Sequence, residues 1–465
     1  MTREAMARQP NVQLADVMRR VGCSNSGLAS RVVAVAGENG AALKCTHVDV
    51  RRWLDGVVPR PATAQYIATA LSRKAGTRIS VEEIGLGGPG TAAVMESGLD
   101  YPEDGPAAGQ RLLGLTRREL AGDVAALGAI VVPAAWPTSM LGWLLARPEP
   151  IRPPEGGRIN VGESDVAAVR ATAQMFMQMD FQFGGGHARA ALAQYFANDV
   201  CPLLEGRYTE RVGRELFSAA AEVAQLLGWT AYDTGRHGLA QRYLIQALRL
   251  AQEADDRMMG GRLLANMSHQ ATYLGNFDLA VQLARAAQEG ARNAASATTM
   301  AMFLAMEARA HAGNGNDDGC SRAFAEAERF FEKSDPADDP KWIGYFDAAE
   351  LAGEGAHCFR DLRNPRMTLE FVGRAVELTD PVYVRTLAFV RLVHAASVVQ
   401  QREPGHAVEL AQEAIGLAGS LKSQRYLRYV RDLCADLRPY GDAAEVRAFT
   451  GFVAERYPDL EQPSR

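Results

Sequence analysis

The chain has 465 residues, 47 % of them hydrophobic, and a formal net charge of −5, enough length and apolar material for two or three domains with real cores. Six scattered cysteines (23, 45, 201, 320, 358 and 434) contain no CxxC pair, which argues against a disulfide framework or a zinc module and suits reduced thiols in the cytoplasm. The charge is polarised, because residues 1–90 carry 12 Lys and Arg against 7 Asp and Glu while the rest carries 38 against 48, and a basic head on an acidic body suits a nucleic-acid-binding module joined to a partner domain.

The opening stretch "MTREAMARQPNVQLADVMRRVG" lacks an apolar core segment, so no secretory signal is expected. Val12, Leu14, Val17 and Met18 are spaced for a first helix that stops at Gly22. A second helix follows Ser24 or Ser26, with Leu28, Val32, Val33 and Val35 as its apolar series. Thr46 is a good cap for a third, "HVDVRRWLDG", which Gly56 ends. Val50, Trp53 and Leu54 share one stripe of it, while His47, Arg51 and Asp55 form an outer row with Arg52 beside it. Residues 62–76 read as a fourth amphipathic helix with Ile67, Ala68 and Leu71 inward, and the unit closes at 86.

Leu28-Ala29 followed by Val50, Trp53, Gly56 and Pro59 resembles the second and recognition helices of XRE-type helix-turn-helix domains. Sixteen residues separate Ala29 from Thr46, more than that family's tight turn, so a longer second helix or an enlarged loop is expected. The resemblance implies a DNA-binding domain over 10–86 with double-stranded DNA as partner. It makes His47 and Arg51 candidates for base edges. Lys44, Arg52 and Arg60 would hold phosphates, with Thr46 at the start of the helix.

Residues 87–110 are rich in Gly and Pro and read as a flexible linker. Gly85, Gly87 and Gly90 match GxGxxG, but no strand precedes them and no helix opens directly after, so no nucleotide site is expected. Residues 111–157 form a helical connecting segment. Within it 124–146 carry no charge, long enough to span a bilayer. Pro133 and Pro137 divide that stretch, which favours two buried pieces over a membrane helix.

The body, 158–465, carries a repeat. "GRHGLAQRYLIQAL", "GNFDLAVQLARAAQ" and "GNDDGCSRAFAEAE" align Ala240, Ala280 and Cys320 in one column and Ala247, Ala287 and Ala327 in another. Thr368 with Ala375, and Ala407 with Ala414, extend both columns, and twelve residues before the first stand Gly228, Ser268, Ala308, Ala356 and Ala395. Small residues at fixed offsets let paired helices approach closely, which resembles the tetratricopeptide pattern and implies an α-solenoid. The spacings of 40, 40, 48 and 39 residues exceed the usual ~34. A degenerate sixth unit is expected near "PYGDAAEVRAFTGFV". The expected fold is therefore all-α, a helix-turn-helix head linked to a tetratricopeptide-like solenoid.

In tetratricopeptide superhelices the residue after each small position of the leading helix faces the inner surface. Here those residues are Trp229, His269, Arg309, His357 and Ala396, with Tyr232, Asp233, Arg262, Tyr273 and Arg360 expected nearby. A groove of aromatics, arginines and histidines suits a peptide or an acidic small molecule; the alternative is a set of scattered solvent-facing side chains. No HExxH or GxSxG is present. "NGNDDG" at 314–319 lacks the closing glutamate of a calcium loop, since 325 is alanine. No catalytic residue, metal or cofactor is expected.

An XRE-like head on a long repeat body is similar to a class of actinobacterial regulators, and "LLGWTAYDTGRHGLAQRYLIQALRLA" (226–251) resembles that class in particular. The abundance of Arg over Lys, 45 against 5, agrees with a GC-rich bacterial origin. Some members repress sporulation and antibiotic production. More distantly, the architecture is similar to the peptide-pheromone receptors of Gram-positive bacteria. These likenesses imply a cytoplasmic repressor, a homodimer on an inverted repeat, and a peptide, small molecule or protein bound in the solenoid. The competing expectation is an interaction scaffold whose helical head does not bind DNA.

Overall fold

The computed structural model of the chain describes residues 9–38, 43–75, 79–86, 97–146, 150–151, 157, 159–419, 421–458 and 460. The described residues form helices joined by turns and loops, and their one extended pairing is an isolated bridge between Asn160 and Arg207.

Four helices build the head: α1 (Val12–Arg20), α2 (Asn25–Glu38), α3 (His47–Leu54) and α4 (Pro61–Ala75). Leu14, Leu28, Val32, Val50, Ile67 and Leu71 are fully buried in a core of its own. Val33, counted in the apolar series of α2, instead points outward and is 37 % exposed. Asn11 ties the two ends of the head together: its Oδ1 accepts from Leu14 N at 2.9 Å and its Nδ2 donates to Ile84 O at 2.9 Å. The long interval after Ala29 is filled first by helix, since α2 runs to Glu38. Of the GxGxxG glycines, Gly87 and Gly90 lie outside the described residues.

Of the stretch expected as linker, 87–96 also lie outside them, but 97–104 are held against the body. Gln246 Nε2 donates to the carbonyls of Gly98 and Asp100 at 2.9 and 2.8 Å, and Arg249 donates to those of Pro102 and Glu103 at 3.2 and 2.7 Å. Helix α5 (Gly105–Leu120) already begins inside the expected linker. Glu119 near its end accepts from Arg189, Arg236 and Tyr243, which anchors it to the body.

The uncharged stretch breaks around Pro133 into α6 (Val124–Leu127) and α7 (Ala135–Leu145), whereas Pro137, also expected to divide it, is accommodated in the first turn of α7. Its apolar character is used for burial: Trp136 and Trp143 are fully covered. A Cβ added at Gly260 or Gly290 would lie 2.4 or 2.1 Å from the Trp143 ring, so those two glycines make its seat. No described helix is long and apolar enough to cross a membrane. Between α6 and α7 the backbone is strapped to the body, with Gln241 bonded to both N–H and C=O of Val132 at 2.9 Å. The neighbouring Ile130 inserts into the core of the head.

Helix α8 (Glu163–Phe183), α9 (Arg189–Tyr195), a π turn and the short α10 (Cys201–Leu204) precede five consecutive hairpins and a final pair of helices. These are α11 (Glu210–Asp233) with α12 (His237–Glu253), α13 (Arg257–Tyr273) with α14 (Phe277–Ala291), and α15 (Ala297–Gly313) with α16 (Asp317–Phe331). They continue as α17 (Ala348–Asp361) with α18 (Pro365–Leu378) and α19 (Val384–Gln400) with α20 (Pro404–Ala418); the last two helices, α21 (Gln424–Leu437) and α22 (Ala444–Arg456), pack on α19 and α20 rather than on each other. All three small-residue columns are buried in every copy. The reason is steric: a Cβ at Gly228 would sit 2.7 Å from Leu244 of the partner helix. "NGNDDG" is the turn of the third hairpin, where Asn316 caps α16.

The hairpins curl until the last returns to the first. Lys422 N donates to Phe183 O at 3.2 Å and Lys422 O accepts from Gly186 N at 3.1 Å. Arg385 of α19 reaches Asp180 of α8 at 2.7 Å and Asp233 of α11 at 2.8 Å. The solenoid thereby closes around a central space.

Candidate functional site

Two places concentrate the residues singled out by the sequence. The first is the outer face of α3. Burying Val50 and Trp53 fixes the roll of the helix on the head, so the opposite face must point away. Lys44, Thr46, His47, Arg51, Arg52 and Arg60 are all exposed. Arg51 and Arg52 form no ion pair among the described residues, which leaves two guanidiniums free to meet an anion. Thr46 is committed locally, because both its N–H and its hydroxyl donate to Asp49 Oδ2 at 2.9 Å. Those bonds hold the Asp49 carboxyl below the usual carboxylate range and secure the start of α3. Val48, 52 % exposed, shares the outer face and would suit contact with a thymine methyl.

The second place is the space inside the solenoid. Trp229, Arg262, His269, Arg309 and His357 line one cavity, and Tyr273, Arg360 and Ala396 line a neighbouring one that shares His269 and Arg309 with it. Tyr232 and Asp233 lie one layer below, 1 % and 0 % exposed. None of the ten expected groove residues is solvent-exposed. They touch: Tyr232 Oη is 2.9 Å from His269 Nδ1, and the Trp229 and His269 rings are 5.5 Å apart. Burial, reinforced by Arg425 and Arg309, pushes His269 well below an ordinary imidazole, and burial with Arg309 does the same to His357. Both histidines are therefore neutral polar groups at physiological pH.

Several chamber residues escaped the sequence reading. Asp180 comes from α8, which lies outside the repeat, and Arg425 from the degenerate sixth unit, so no repeat column pointed to either. Gln225, Met302, Met306, Glu350, Glu354 and Phe389 were findable: each lies three, four or seven residues before an inner-row position and so on the same helix face. Glu354 accepts from Arg309 at 2.6 Å. Burial chiefly, with crowding by Glu354 and Asp347, pushes the Glu350 carboxyl above the usual carboxylate range. Among the described residues no group of three His, Cys, Asp or Glu side chains is placed to hold a metal ion.

Residues 14–87 match the family model of the SP15 N-terminal domain. The matched span coincides with the head, which is thus similar to that domain as one folded unit. No curated protein matches the chain, and no solved structure does.

Proposed function

We propose that the protein is a sequence-specific DNA-binding transcriptional regulator whose solenoid senses a ligand or partner. The observation that carries this reading is α3: a short helix seated by Val50 and Trp53, with His47, Arg51 and Arg52 on its exposed side. That disposition suits insertion into a major groove, with arginine reading guanine and the flanking cations holding phosphates. The resemblance to actinobacterial regulators makes repression of development or secondary metabolism the expected output, exerted in the cytoplasm by a homodimer on an inverted repeat.

The body has a route to the head. On α21, Arg425 faces the chamber, while Gln424, Leu427, Arg428 and Arg431 line a cavity shared with Ala62 and Tyr66 of α4. An occupant that moves Arg425 therefore acts on the element under the head, and shifts DNA affinity by its differential binding to the two arrangements.

The test is selection of random duplex DNA on the full-length protein and on the Arg51→Ala, Arg52→Ala double variant. A palindromic motif lost in the variant is the expected result. A motif that survives the substitutions would move the readout off α3. The interaction scaffold is the second reading, favoured by the eight residues between α2 and α3, where a tight turn is usual. Absence of any enriched motif, with or without cell extract, would select it.

A further inference from the structure

Four guanidiniums meet in the chamber, and one of them, Arg262, has no carboxylate within ion-pair distance among the described residues. Arg385 is held by Asp180 and Asp233, and Arg309 by Glu354. Arg262 is 4 % exposed, and no carboxylate among the described residues lies within ion-pair distance of it. Its charge rests over the Trp342 ring at 4.7 Å, it donates to the Met177 sulfur at 4.0 Å, its Nε has no hydrogen-bond partner, and the Glu222 carboxylate acts on it only from beyond ion-pair distance. Burial pulls its pKa down from the ordinary arginine value, the mark of a cation in an unfavourable place.

Arg425 is boxed by aromatic rings, 5.2 Å from Trp229, 4.8 Å from Tyr232 and 5.3 Å from Phe389. Asp233, its nearest carboxylate, is 3.7 Å away and already accepts from Arg385 and Ser423. Its Nε also lacks a partner. A buried charge without a close counter-charge is costly; Arg262 has none within ion-pair distance among the described residues, and Arg425 has only a share of Asp233. That cavity also holds two orphaned acceptors, Gln225 Oε1 and Asp180 Oδ1. A further anionic group beside these two arginines, carrying a hydrogen-bond donor for the acceptors, would complete the pairing.

We propose that the chamber is a binding site for a small organic anion carrying a hydroxyl or similar donor, its acidic group ion-paired with Arg262 and Arg425. The proposal rests on the reading of the solenoid as a sensor and gives its ligand a chemical class. Size sets the limit. The cavity volume is about 120 Å³, room for roughly eight to twelve water-sized groups. A carboxylate and a phosphate satisfy the two arginines in the same way; the acceptors ask for the donor.

The experiment is calorimetric titration of the full-length protein, without DNA, by salicylate, 4-hydroxyphenylacetate, malate and inorganic phosphate, with salicylamide and 4-hydroxyphenylacetamide as uncharged matches. One buried cation without an ion pair and a second that shares its carboxylate make even these generic acids favourable occupants, so saturable 1:1 binding at millimolar concentration or better is expected from at least one. The matched amide should bind at least tenfold more weakly, and Arg262→Gln and Arg425→Gln should each weaken the acid at least tenfold. Binding by a hydroxy acid but not by phosphate identifies carboxylates as the source; the reverse identifies phosphates. No binding by any of the four, equal binding of acid and amide, or binding that survives both substitutions overturns the proposal. Should either variant fail to fold, the acid-against-amide comparison on the unaltered protein decides. Operator selection that succeeds without acid binding removes this proposal alone, whereas acid binding without operator selection removes the regulator reading and leaves the chamber.

Discussion

His237 opens α12 beneath the head, 4 % exposed, between the rings of Tyr232 and Tyr273, with its Nδ1 lacking a partner. Burial first, then Arg428 and Arg425, pulls its pKa down to about 3. An unfolded chain takes up this proton near pH 6.5 and the folded one refuses it until about pH 3, so stability is complete above 6.5 and is lost as pH falls through that window. His269 and His357 act in the same sense. Replacing His237 with Gln should flatten the acid limb of the stability profile by about 1.4 kcal/mol per pH unit between those limits. Urea titrations of both proteins at pH 7, 6 and 5 measure it; parallel profiles would mean that His237 ionises freely in the fold. At this scale the chamber was half legible. His269, Arg262 and Arg309 follow from helix periodicity, but a residue's counter-charge depends on partners far along the chain. Asp233 and Arg385 are 152 positions apart, and no local pattern joins them.

The turns within the hairpins show how the repeat drifts. The first three place glycine in the left-handed region, at Gly235, Gly275 and Gly315, while the fourth and fifth hold Arg363 and Arg402 there with φ of 55° and 67°. A side chain in that region is strained, and glycine is not. Arg402 is exposed and forms no ion pair among the described residues. The substitution Arg402→Gly should therefore stabilise the fifth hairpin by about 0.5–1 kcal/mol, read as a higher thermal midpoint; a lower one would show that the arginine contributes more than its strain costs. The same small-residue columns that announced the hairpins in the sequence are what pack them, because close approach of two helices leaves a periodic mark. The segment 97–104 left no such mark. It is ordered by Gln246 and Arg249, which grip its carbonyls from about 146 positions away, so a Gly- and Pro-rich stretch that reads as linker is in fact docked.

Closure of the solenoid turns a repeat array, in which each unit ordinarily touches only its neighbours, into a molecule whose ends depend on each other. Asp233 is the point where the ends meet. It accepts from Gly185 N at 3.0 Å, Arg385 at 2.8 Å and Ser423 at 2.9 Å, gathering the turn after α8, helix α19 and the start of α21 on one fully buried carboxylate. The charge matters beyond the geometry, because Arg385 and Arg425 share it at 2.8 and 3.7 Å. Asp233→Asn keeps the shape and removes the charge, leaving two buried cations with Asp180 alone. Breaking such a pair costs about 3–5 kcal/mol, and here the loss falls on the junction. Native-state hydrogen exchange is the suitable measurement, since it reports local opening separately from global unfolding. Amides of 421–425 and 184–186 should exchange faster in the variant by the factor equivalent to that energy, while those of α15 and α16 stay as protected as before. Uniform acceleration along the whole body would mean that closure and hairpin stability are one cooperative unit, and no change at the junction would remove Asp233 as its latch. Under the proposed sensor reading the outcome has a further consequence: α21 carries both Arg425 in the chamber and the surface under the head, so a junction that opens by itself would release the head without any ligand.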